Sequence, residues 1–149
     1  MLRETLTTDM KAAMKSRDQA RLDTIRMLLS ALKNEEINLR RPMTGEEEIA
    51  FLSSQAKRRR ESITAFEEAG RDEMAQTERA ELEVINAYLP EQLSAEEARS
   101  IIAEVIAAVG ASAPSDLGRV MGAVMPKLKG RFPGSDVRPI VQELLAGNG

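Results

Sequence analysis

The chain has 149 residues, of which 30% are charged and 42% apolar, with a net charge of −3 and neither cysteine nor histidine. That bounds it to one domain or two small ones. It also excludes thiolate nucleophiles, Cys/His zinc sites and the usual imidazole base. The Cys and His-dependent triads that release ammonia from glutamine go with them.

Aromatic residues make up only 3% (Phe51, Phe66, Tyr88 and Phe132), and Ala, Leu, Met, Glu and Arg, the strong helix formers, dominate. With no long β-branched alternation, the expected class is all-α. No apolar run reaches about eighteen residues and no leader with an apolar centre is evident, so a cytoplasmic location and no membrane partner are expected. No glycine loop of either standard phosphate-cradling type is present. No cofactor, metal or catalytic residue is assigned, and autonomous catalysis is not expected.

The first helix reads from about Leu2 to Lys15, with Leu2, Leu6, Met10 and Met14 at i, i+4 spacing. The second carries Leu22, Ile25, Leu28, Leu29 and Leu32 on one face and ends near Arg40 to Pro42. Thr44 is an N-cap followed by Glu46, Glu47 and Glu48 in the first turn of the third helix. That helix extends to Ala69, where Gly70 suits a left-handed stop. The fourth runs to Leu89, with Pro90 ending it. Residues 1–90 form the expected N-terminal four-helix part.

Helices three and four then make an antiparallel hairpin, which sets Phe66 against Met74, Ile63 against Thr77 or Glu78, and Arg59 against Glu81. Arg59 lies on the apolar stripe Ile49, Leu52, Ala56, Ile63, Phe66, and a charge there needs a partner. Glu81 or Glu78 is the expected one, as a bridge fixing register or as part of a functional pocket. The run Lys57, Arg58, Arg59 and Arg60 could meet nucleic-acid phosphates, but the stronger reading is that it points in four directions round the helix and is not a patch.

A second part, 94–149, is expected as a three-helix bundle. Ser94 with Glu97 forms a capping box ahead of Ile101, Ile102, Val105 and Val109. Gly110 closes that helix, Ala111 to Ser115 is a loop, and Ser115 or Asp116 caps the next. Ser135 caps the last, whose face is Val137, Ile140, Val141, Leu144 and Leu145. Between them, Gly118 and Gly122 stack on one helix face, as close approach of another helix, or of a ligand to bare backbone, would require. Pro126 interrupts the run. Arg119, Lys127, Lys129, Arg131 and Arg138 face only Asp136 and Glu143, whereas 91–116 holds five acids against Arg99 alone. Cations around a glycine turn suit a phosphate, and they also suit the dipole and free carbonyls of a helix C-terminus.

The segments DMKAAMKSRD, RLDTIRMLLSALKNEEI, KRRRESITAFEEAGR, VINAYLPEQLSAEE and DLGRVMGAVMPKLKGR together resemble the YqeY-like proteins. These share a tail domain with the B subunit of the tRNA-dependent amidotransferases, which are carbon–nitrogen ligases. The resemblance spans nearly the whole chain and implies an all-helical, two-part fold. It also implies tRNA contact by the tail, assigned to Arg119, Lys127, Lys129 and Arg131. It does not carry over the amidotransferase chemistry, whose catalytic region is absent here. The leading expectation is a non-catalytic, tRNA-associated protein near amidation or translation, with a protein partner in that machinery also possible. The alternatives are a protein–protein adaptor with no nucleic-acid role and an accessory enzyme using Glu78 and Glu81.

Overall fold

The computed structural model describes residues 1–148, and among these the chain is all-α, with no strand. Seven helices follow in order: α1 Leu2–Ser16, α2 Gln19–Leu39, α3 Gly45–Glu68, α4 Asp72–Asn86, α5 Ala95–Val109, α6 Leu117–Leu128 and α7 Gly134–Asn148. One 3-10 turn, Pro114–Asp116, precedes α6. Two compact units result, Met1–Leu89 and the segment from Pro90 onward.

In the first unit the elements begin where short polar side chains hold free amides. Asp18 accepts from the Arg21 amide at the head of α2. Thr44 accepts from the Glu47 amide at 3.2 Å while Glu47 returns to the Thr44 amide, completing a capping box. Glu47 is further held by Arg41, and the two bonds keep its carboxyl below the ordinary range, with Arg41 the larger cause. α1 packs on α2, α2 on α4, and α3 along α4. Leu6, Ile25, Leu28, Leu52 and Ile85 fill the core between them. The Leu2 amide donates to Glu48 at 2.6 Å, so the head of α1 is tied to α3. Tyr88 donates its hydroxyl to Asp9 at 2.5 Å, and burial first, then this bond, pushes the phenol upward.

Met14 is 51% exposed, and Ala13 is buried in its place. Each i+4 step drifts by about 40° round the helix, so three steps carry position 14 about 120° from Leu2. α4 stops at Asn86, three residues short of the expected end. The chain turns through Ala87 to Leu89, with Tyr88 and Leu89 amides bonding back three residues. Gly70 has φ +69 and closes α3 as the sequence suggests.

The hairpin register is also found. Arg59, 8% exposed, donates through Nε to Glu81 at 2.9 Å, lies 3.7 Å from Glu78, and donates to Gln55 at 3.3 Å. One guanidinium thus serves two carboxylates. Burial first, and then the neighbouring Glu81 charge, raise the Glu78 carboxyl above its ordinary value. The basic run divides as its helical geometry demands: Lys57 and Arg58 are exposed, while Arg59 is buried.

In the second unit, Ile102, Val105, Val120, Val124, Leu128, Val137, Val141 and Leu145 form one apolar core from α5, α6 and α7. Ser94 and Glu97 form the capping box of α5. α7 begins at Gly134, so Ser135 sits inside its first turn rather than at the cap. Among the described residues no single helix is long and apolar enough to cross a membrane, and no group of acids suits a metal ion.

Candidate nucleic-acid interface

The cations of the second unit are placed by α6 and the turn that follows it. α6 passes through Pro126 and continues to Leu128, so the proline does not end it. It is tolerated within the helix, where its ring nitrogen cannot bond to the Gly122 carbonyl. The Lys129 amide still bonds to Met125 at 2.9 Å, and the chain then turns at Gly130, φ +75, a backbone conformation that other residues adopt only with strain.

That turn is braced from within the unit by residues 90–93, which lie between α4 and α5. The Leu93 amide donates to the Arg131 carbonyl at 2.8 Å. The Gln92 side-chain amide donates to the Gly130 carbonyl at 2.6 Å and the Pro90 carbonyl at 2.8 Å. Arg131 answers by donating Nε to the Glu91 carbonyl at 3.3 Å. No sequence signal marks Gln92, because the residues it joins lie 38 apart in the chain.

The four candidate residues therefore differ. Lys127 and Lys129 are exposed, and among the described residues neither has a side-chain hydrogen bond or ion pair. Arg131 is half-buried and partly spent on Glu91. Arg119 stands 3.3 Å from Asp116 and about 12 Å along the helix from Lys127. Asp116 occupies the cap position of α6, but its carboxylate turns back to the Ser112 and Ala113 amides at 3.0 and 3.2 Å. These amides, ahead of Arg119, hold it below the ordinary range. Of the two acids opposing the tail cations, Glu143 is bound by Arg99 at 3.1 and 3.2 Å. Arg138 is exposed on α7. Phe132 packs against the apolar core.

The glycine pair does not serve helix packing. A Cβ built on Gly118 or on Gly122 meets nothing within 4 Å. With Pro126 they leave one face of α6 almost bare of side chains, flanked by Arg119 on one side and Met125 on the other.

The Yqey-like protein family matches residues 3–145. A Candida glabrata protein named Altered inheritance of mitochondria protein 41, mitochondrial, is 33% identical over 126 residues, covering 80% of this chain and 69% of its own length. Its namesake in Pyrenophora tritici-repentis is 28% identical over 143 residues, 94% of this chain and 78% of that one. The Eremothecium gossypii namesake is 39% identical over 85 residues, 56% of this chain, and the match spans only 46% of that relative. All three are named as mitochondrial, which corrects the cytoplasmic expectation. That expectation rested only on the lack of a recognisable leader or apolar span. With the family match running from near the first residue to the last turn of α7, this chain belongs to the Yqey-like protein family.

Proposed function

We propose that this chain is a non-catalytic helical protein that associates with tRNA through the sugar–phosphate backbone, near aminoacyl-tRNA amidation or translation. The observation that carries the reading is the state of Lys127 and Lys129, exposed and unpaired among the described residues, around a turn that residues 90–93 hold in place. Cations on a braced turn lose less freedom on binding than cations on a loose one. Arg119 and Arg131 add positive potential on either side, although each already has a partner. The bare face at Gly118 and Gly122 leaves room for another backbone to approach. Phe132, the aromatic residue at this turn, is partly buried against the apolar core, which favours backbone contact over base reading.

The test is binding of labelled bulk tRNA at low and physiological salt, comparing wild type with Lys127→Ala/Lys129→Ala. Arg131 is left in place because it braces the turn. Binding that weakens with salt and drops roughly tenfold or more in the variant is expected. No binding to wild type at low salt would overturn the reading and leave a protein–protein adaptor in its place.

A further inference from the structure

Met1, Met14, Met27 and Met74 all stand well exposed, and one of them differs from the rest. Met27 is 39% exposed, yet its sulfur accepts an N–H of Arg59 at 3.3 Å. Met74 also meets an arginine, but Arg71 is exposed and stands 4.0 Å off, with water free to take its protons. Arg59 is buried. Its Nε has Glu81 and one terminal nitrogen has Gln55, so the other terminal nitrogen depends on the thioether, a weak acceptor. The same contact joins Met27 of α2 to Arg59 of α3, two helices linked in the chain by 40–44 and each packed on α4.

We propose that Met27 is a modification site, oxidised by a peroxide to the sulfoxide, whose oxygen Arg59 then binds, tying α2 to α3. The solvent side of the sulfur meets the oxidant. A sulfur lone pair attacks one peroxide oxygen, and the S–O bond forms as the O–O bond breaks. The departing oxygen takes the proton of the transferred one and leaves as water, so sulfur is oxidised and peroxide reduced. The product carries a strongly polar oxygen where the thioether had only a soft lone pair. Rotation about the flexible methionine side chain swings that oxygen toward the guanidinium. A hydrogen bond from an ionised donor is roughly twice as strong as a neutral one. It falls on a nitrogen that Glu81 does not use, so the ion pair is kept. In an apolar setting a sulfoxide disrupts packing; at Met27 the new polar atom meets a buried donor short of an oxygen.

The test is mild hydrogen peroxide treatment, with each sulfoxide mapped by peptide mass spectrometry, followed by denaturant unfolding of wild type and Met27→Leu, treated and untreated. Leucine keeps the volume and cannot be oxidised. Damage at the other methionines is common to both proteins, so the difference between them reports Met27. Treated wild type should show a folding equilibrium constant roughly tenfold above treated Met27→Leu, once their untreated ratio is divided out. Arg59→Lys keeps a charge for Glu81 but has no second terminal nitrogen, and should lose that gain; the Met27→Leu comparison decides alone where this variant does not fold. Met27 left unoxidised while Met14 and Met74 are converted would overturn the proposal. So would a treated wild type no more stable than treated Met27→Leu, or a gain that persists in Arg59→Lys.

Discussion

The two units treat charge in opposite ways. The buried polar residues among those described, Thr24, Gln55 and Arg59, all lie in the first unit, while the buried core of the second is wholly apolar. In the first, a guanidinium is drawn inside and fixes how α3 lies along α4 through Glu81 and Glu78. In the second, Val and Leu do the packing, and the unpaired lysines are left outside on a braced turn. A cation inside its own fold has its partners already; one held outside by a rigid turn is available to another molecule. The comparison teaches where to look for function: in the unit whose core does not need its charges.

The sharpest way to break this contrast is to remove the internal cation. Arg59→Ala leaves Glu78 and Glu81 facing each other without a counter-charge, and should destabilise the first unit by about 3 kcal/mol in denaturant unfolding. A change within a few tenths of a kcal/mol would mean that Arg59 is solvated and that the contrast is overstated.

The glycine face offers the converse. Gly118→Ala and Gly122→Ala add a methyl group where nothing stands within 4 Å, in a helix, and should each raise stability by about 1 kcal/mol. If the bare face admits an RNA backbone, tRNA affinity falls in the same variants while the melting temperature rises. A stability gain with unchanged affinity would confine the interface to Lys127 and Lys129.

How far the sequence discloses all this depends on the distance over which each signal acts. The starts of α3 and α5 are readable because a capping box is complete within four residues, at Thr44 to Glu47 and Ser94 to Glu97. The Arg59–Glu81 pair is readable because Gly70 sets a hairpin and thereby its register. The brace from Gln92 to Gly130 is not, since nothing local in either segment points to the other. Nor is the course of α6. Pro126 looks like a breaker in sequence, but the buried stripe Val120, Val124 and Leu128 carries the helix through it. The cations themselves are visible at once. Which of them are free depends on Asp116 and Glu91, and so only on the fold.

Gln92→Ala sharpens the account of the turn. It removes the donor to both the Gly130 and Pro90 carbonyls and should lower the stability of the second unit by about 1 kcal/mol. Amide hydrogen exchange at Arg131 and Leu93 should quicken with it. Unchanged exchange would show that the turn holds without its brace.

The smallest effect concerns Glu78. Its carboxyl is raised in the folded protein, so between the unfolded and folded values the native state binds protons more than the unfolded chain does. That contribution to stability is complete below the ordinary carboxylate range and is lost as pH climbs through the raised value. Glu78→Gln cannot ionise and should therefore gain on wild type as pH rises through that value. A variant that falls behind over the same window would mean that Arg59 needs the Glu78 charge.

The central claim, that the lysines held outside the second unit meet phosphates, is most directly tested by the salt dependence of tRNA affinity. The logarithm of the association constant should fall linearly with the logarithm of salt concentration. Lys127→Ala/Lys129→Ala should reduce that slope by about 2, one for each phosphate no longer neutralised. An unchanged slope, with binding still present, would contradict the claim and move the RNA-binding surface elsewhere on the chain.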